Sequence, residues 1–323
     1  MWLQTRMWLL MAVMFGILYG VITGIGVWAG GASYSYVYII LAFFFVGLQY
    51  LIGPAMVGWT MRVKYVTEKE EPELHNMVAN LANAAGIPKP KVGISQLNIP
   101  NAFAFGRTRG DGRVCVTRGI LNLLNRDELK AVLGHEISHI KHRDMAIITL
   151  LSAIPLIMYW IAFSFMFRGA FGGSRQSGGS IAMLIGFGAM ILYFITNLLV
   201  LYGSRIREYY ADRGSVSLGC RPHHLATALY KLAYGDARHR NSPEMKRVEG
   251  VKAFFVNDPS RAWYEINELK QVDSDMSGTI DFDELLELRE KKVRLRAGDK
   301  MMELFTTHPN MLKRIKHLST LAV

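Results

Sequence analysis

The sequence predicts a mainly α-helical membrane protein, with four transmembrane helices and a cytosolic body that carries a small β-sheet. Three observations predict it. First, Met7–Trp28, Tyr36–Trp59, Ala146–Phe167 and Ile181–Ser204 contain no charged residue. Each reaches the ~20 residues that cross ~30 Å of hydrocarbon at about 1.5 Å per residue. Second, Lys and Arg gather at one set of span ends, at Arg6, Arg62, Lys64, Lys141, Arg143, Arg205 and Arg207. The opposite connections hold no charge over Ala29–Ser35 and only Arg168 and Arg175 within the Gly/Ser-rich stretch Arg168–Ser180. By the positive-inside rule, both termini and every large polar segment face the cytoplasm, in a multi-pass protein of the cell membrane. Third, the polar blocks between and after the spans carry capped helices and short alternating strands.

Composition agrees. Hydrophobic residues are 51% of the 323 and charged residues only 20%. That is too apolar for disorder, and the apolar residues lie in blocks that exclude a fully soluble globule. There are 37 Lys+Arg against 26 Asp+Glu, a net charge of +11, concentrated at the cytoplasmic span ends and near the C-terminus. The two cysteines, Cys115 and Cys220, have no metal-binding spacing and are too few for a disulfide framework, which fits a reducing compartment.

Along the chain, residues 1–63 read as a transmembrane hairpin and 64–144 as a first cytosolic segment. Residues 145–204 form a second hairpin, 205–258 a second cytosolic segment, 259–295 an insert and 296–323 a C-terminal segment. Gly16, Gly20 and Gly24 recur on one face of the first span, and Gly186 and Gly188 offer the fourth span close packing. Pro155 is placed to kink the third. In the first cytosolic segment, Pro72–Ala85 is an amphipathic helix stopped by Gly86. Lys91–Gln96, Ala102–Phe105 and Arg113–Thr117 are short strands. Asn125 with Glu128 three places on forms a capping box, opening a helix from Arg126 that is expected to run straight into the third span.

That helix carries His135-Glu136-Ile137-Ser138-His139. Spacing of four puts both imidazoles on one helix face, about 6 Å apart, so that they can share a Zn²⁺ with Glu136 beside them as a base. Zinc then needs a third ligand, for which Glu208 is the best candidate, with Asp212 one turn on to orient a histidine. His142 reads as an interfacial residue and not a ligand.

HExxH, then two spans, then Ser204-Arg205-Ile206-Arg207-Glu208-Tyr209-Tyr210-Ala211-Asp212 resembles the HtpX-type integral-membrane zinc peptidases, relatives of the CAAX prenyl proteases. Asn101-Ala102-Phe103-Ala104-Phe105-Gly106 is similar to that family's NAFAxG stretch, and Thr307-His308-Pro309 with Arg314 to its late THP element, with Asn310 where a second proline is usual. The resemblance implies a zincin domain holding zinc through His135, His139 and Glu208, with Glu136 as general base. It also implies an edge strand at Asn101, Ala102, Phe103 and Ala104 that pairs with extended substrate. His308 and Arg314 are expected to donate to the oxyanion. The residues alone also allow His308 as a helix-start residue and Asn101–Phe105 as sheet core. Because the metal ligands lie within a few residues of two spans, membrane or misfolded proteins are the expected substrates. Prenyl-protein processing and a calcium-responsive scaffold with an inactive site remain alternatives.

Asp273 to Glu284 matches an EF-hand loop: Asp273, Asp275, Ser277, Thr279 (through its carbonyl), Asp281 and Glu284 stand at the ligand positions, with Gly278 at the sharp turn and Ile280 at position eight. Trp263, Ile266 and Leu269 give the entering helix an apolar stripe, and Phe282, Leu285 and Leu286 the exit helix. Ca²⁺ is therefore a second expected cofactor, although no second loop is present to pair with the first. Five basic residues follow in Arg289–Arg296. Without stacking aromatics they suit a lipid bilayer with anionic headgroups and not nucleic acid.

Overall fold

The computed structural model describes residues 5–21 with interruptions, and residues 35–171, 178–239, 255–256, 266, 268–269, 271–291, 293 and 297–322. The protein is mostly helical with one small mixed sheet, and it divides into two compact units. One comprises Met1–Ile52 and Ala146–Gly203, the other Gly53–Met145 and Ser204–Val323.

The first unit is apolar. Helix α1 spans Ser35–Thr60, α5 Asp144–Phe171 and α6 Gly178–Ser217. Among the described residues, two helical stretches are long and apolar enough to cross a membrane, Asp144–Phe167 and Gly179–Ser217. The second expected span falls on α1, and much of the first, with Gly24 and Trp28, lies outside the described residues. Ile157, Ile161, Ala162 and Phe165 of α5 pack with Ala182 and Ala189 of α6. Gly186 makes this contact close, since a Cβ there would stand 2.7 Å from Met166 Cγ. At Gly16, Gly20 and Gly188 a Cβ would meet no described atom within 4 Å.

In the second unit, α2 (Pro72–Ala85) starts on its proline and ends as Gly86 turns left-handed at φ 67°. Strands β1 (Val63–Tyr65), β2 (Lys91–Ser95), β3 (Ala102–Phe105) and β4 (Arg113–Thr117) form a sheet in the order β1-β2-β4-β3. β2 and β4 are parallel, and the outer pairings are antiparallel. β3 therefore stands at a sheet edge, as expected, whereas β1 was not anticipated. Alternation divides β3 between two cores. Ala102 and Ala104 join the large core with Leu133 and Ile137, while Phe103 and Phe105 pack with Met61, Leu97 and Ile99 on the other face.

After the short helix α3 (Arg118–Leu123), α4 runs from Arg126 to His142 through the middle of the unit. Both halves of its capping box are made: Asn125 Oδ1 accepts from Glu128 N at 2.9 Å, and Glu128 Oε2 accepts from Asn125 N at 3.0 Å. α7 (Pro222–His239), α8 (Phe282–Glu290), α9 (Ala297–Glu303) and α10 (Met311–Ser319) complete the unit. Leu225 and Leu229 of α7, Leu285 of α8 and Ile315 of α10 are fully buried in the same core as Val132 and Leu133 of α4.

One expectation is corrected. α4 does not continue into α5, because Arg143 adopts a left-handed conformation at φ 57° and its N–H returns to the carbonyls of His139 and Ile140. A new helix begins at Asp144. The break decides where the Asp144 side chain points.

Candidate metal centre

Two helices carry the centre, and small residues bring them together. At Gly214 of α6, a Cβ would lie 2.6 Å from Ser138 Cβ of α4, and at Gly134 of α4 it would lie 2.9 Å from Ser215 Oγ. Ser215 Oγ donates to the Ala131 carbonyl at 2.6 Å. Near-backbone contact along this seam lets short side chains from both helices reach one point.

That point is defined by His135, His139 and Glu208. The two Nε2 atoms are 3.1 Å apart, and each lies 3.5 Å from a Glu208 oxygen. Ligand atoms at about 2.1 Å from a tetrahedral ion stand ~3.4 Å from one another, so these residues fit a divalent cation with three protein ligands. Burial is the largest single influence on all three groups, but it sets the direction only at His139. It lowers the His139 imidazole to about 3, with His135 adding to the effect. For His135, burial is outweighed by hydrogen bonds to Asp212 and Glu208, which raise it to about 9. For Glu208, burial is likewise overcome, by His308 and Arg314, and the carboxylate is held well below its usual range.

Behind each histidine stands a carboxylate with a buried arginine. His135 Nδ1 lies 2.9 Å from Asp212 Oδ1, as the sequence suggested, and Arg314 grips Asp212 through Nε at 3.0 Å and Nη2 at 2.6 Å. His139 Nδ1 lies 2.7 Å from Asp144 Oδ2, and Arg207 pairs with Asp144 from α6. Carboxylates so placed fix both rings with Nε2 turned toward Glu208, the side from which a metal would be held. Sequence reasoning missed Asp144 and Arg207. The only available signal was Asp144 lying five residues past His139, a spacing that faces away on a continuous helix and becomes useful only through the break at Arg143.

Glu136 is 4% exposed and burial pushes its carboxyl up to about 7, eased by His135 and by the Ala104 backbone N–H against it. The edge of β3 away from β4 thus faces Glu136. His308 is buried with Nδ1 3.4 Å from Glu208 Oε2, and neither ring nitrogen makes a hydrogen bond. Arg314 is fully buried, with Nε and Nη2 on Asp212 and Nη1 on the Val256 carbonyl at 2.5 Å and 3.2 Å from Glu208 Oε2, so it braces both carboxylates of the cluster. Asn101 is 1% exposed and its Oδ1 accepts from Val256 N at 3.0 Å, which makes it a joint of the body. His142 bonds Ser138 and stays outside the cage, as expected.

The model of Peptidase family M48 matches residues 68–322. The chain belongs to peptidase family M48. A "Protease HtpX homolog" of Methanothermobacter thermautotrophicus is 55% identical over 232 residues, 71% of this chain and 85% of that one. A "Protease HtpX homolog" of Pyrococcus abyssi is 34% identical over 322 residues, 98% of this chain and 96% of that one. The crystal structure of S. mikatae Ste24p superposes with a TM-score of 0.55 at 16% identity, covering 98% of this chain and 65% of that longer one, a likeness of fold. Membership of M48, the HtpX relatives and the apolar helices make this a membrane metallopeptidase.

Within the M48 body, the 273–284 loop has its own cluster. Asp273, Asp275 and Glu284 bring one oxygen each to within 4.8 Å of one another. Met276 and Gly278 turn left-handed at φ 57° and 80°, and Glu284 Oε1 accepts from Ser274 N at 2.7 Å. α7 holds the loop from one side. Thr227 Oγ1 lies 2.8 Å from the Ile280 carbonyl and 2.9 Å from its N–H, and Tyr230 donates to Asp273 at 2.7 Å. Leu269 before the loop and Leu285 after it are buried, whereas Trp263 lies outside the described residues.

Proposed function

We propose that this M48 metallopeptidase is a zinc endopeptidase that cuts membrane or misfolded proteins at the cytosolic membrane surface. The observation that carries the reading is the meeting of His135, His139 and Glu208 with Glu136 beside the free edge of β3. Bound zinc would supply Lewis acidity and lower the pKa of a water. Glu136 would take the water's proton and hand it to the leaving amine, a role suited to a carboxyl raised toward neutrality. Ala102–Phe105 would hold extended substrate by strand addition. His308, whose Nε2 has no hydrogen-bond partner among the described residues, would donate to the oxygen of the attacked carbonyl, where one donor is worth about 10²–10³ in rate. The short chain distance from both ligand helices to the apolar runs supports substrates that emerge from the bilayer.

The test is cleavage of one substrate in soluble and membrane-tethered forms by the full chain in lipid. Zinc-dependent cleavage that Glu136→Gln removes is expected, with the tethered form turned over faster. No Glu136-dependent cleavage sinks the enzyme reading, and equal turnover sinks the membrane preference.

We further propose that Asp273, Asp275, Ser277, Thr279, Asp281 and Glu284 hold Ca²⁺ and that the ion adjusts activity, a reading supported by the loop sequence and its oxygen cluster. Calcium at millimolar levels that alters neither melting temperature nor cleavage rate would refute it.

A further inference from the structure

Across the end of α9 and just beyond it, four large apolar side chains face outward within five residues: Met301 is 64% exposed, Met302 54%, Leu304 51% and Phe305 63%. Glu303, between them, turns inward and pairs with Lys313. The segment is fastened to α6 by Arg205, whose Nη1 donates to the carbonyls of Glu303 at 2.9 Å, Leu304 at 3.2 Å and Thr306 at 2.7 Å. Arg205 follows Ser204, the last residue of the charge-free run that begins at Ile181. A helix rises about 1.5 Å per residue, so a loop held by Arg205 itself stands where hydrocarbon gives way to headgroups. Interfacial segments bury their apolar side roughly 5–10 Å into that boundary. Lys300 is exposed next to the cluster, and the basic run Arg289–Arg296 precedes it in the chain, as contact with anionic lipid requires.

We propose that Met301–Phe305 is a wedge seated in the headgroup layer of the bilayer that α6 crosses, and that its seating steadies the segment delivering His308; this second clause rests on the peptidase reading above. The link is short. Phe305 lies three residues before His308, and Thr306 Oγ1 sits 2.9 Å from the Glu303 carbonyl and 2.8 Å from the His308 carbonyl. Motion of the exposed cluster is therefore transmitted to the histidine.

The wedge is tested on the full chain in anionic nanodiscs, with a nitroxide on Phe305→Cys or Met302→Cys and a control on exposed Glu287→Cys of α8. Native Cys115 and Cys220 are buried and resist labelling. Collisions with oxygen should exceed those with a water-soluble nickel chelate about threefold at 302 and 305, and the order should reverse at 287. Equal nickel access at all three positions overturns the proposal. So does oxygen preference that appears only with added unfolded protein, which makes the cluster a substrate dock, or only with two copies per disc, which makes it a self-contact. None of these readouts needs catalysis, so a failed wedge and a failed peptidase are distinguishable. For the coupling, Met302→Ser with Phe305→Ser should lower cleavage in anionic discs about tenfold, less than outright loss of a donor, at unchanged melting temperature. Unchanged cleavage overturns the link to His308.

Discussion

Asp144→Asn is the sharpest test of how the metal cage is held. The side chain is 5% exposed, its Oδ2 is 2.7 Å from His139 Nδ1, and Arg207, itself 6% exposed, pairs with it. Alanine would strand a buried guanidinium, at about 3–5 kcal/mol, and risks confusing unfolding with lost metal. Asparagine keeps the shape and an acceptor for the ring N–H but removes the charge that keeps the ring oriented and basic. Loss of such an outer partner lowers metal affinity about 10- to 100-fold, or roughly 1.4–2.7 kcal/mol of binding. The assay is zinc competition against a chromophoric chelator on the full chain in lipid. A parallel cobalt spectrum reports whether the imidazole environment changes, and a melt of the metal-free protein monitors the fold. Zinc affinity within twofold of wild type, in a protein that melts normally, would refute the claim that Asp144 orients His139.

Other outcomes follow from neighbouring contacts. Gly214→Ala places a Cβ 2.6 Å from Ser138 Cβ and should destabilise the metal-bound protein by about 1–3 kcal/mol while weakening zinc, read by melting and competition together. Arg314→Lys cannot grip Asp212 through two nitrogens and should lower zinc affinity as well as the cleavage rate; an effect on rate alone would support the oxyanion role. Removing metal with a chelator should lower the melting temperature and abolish cleavage, since zinc at about 1,000 times its Kd contributes about 4.1 kcal/mol, and readdition should restore both. Thr227→Val should weaken any calcium-induced rise in melting temperature without changing zinc affinity.

Much of the architecture was legible where punctuation is chemical. Gly86 and the Asn125–Glu128 box announce helix ends in the sequence, and α2 and α4 begin or end there. The HExxH spacing dictates one helix face, and a carboxylate two helices later completes it. Three features lay beyond that reading. β1 is three residues long, too short to display alternation. The break at Arg143 uses a left-handed arginine, with no Gly or Pro to mark it. Asp144, Arg207 and Gly214 matter only because α4 and α6 nearly touch, and no local pattern encodes that proximity. Arg314 was found by its motif, but its grip on Asp212 was not, because spacing cannot tell which carboxylate a guanidinium will meet.

Thr227 has a consequence for the shape of any calcium response. In a paired arrangement, position eight of each loop bonds the other, and filling one site readies its neighbour. Here both backbone groups of Ile280 end on a single hydroxyl of α7, which occupies the place a paired loop would take. Occupancy would follow a simple hyperbola with a Hill slope of one, grading with calcium over about two decades where a coupled pair would switch over a narrower range.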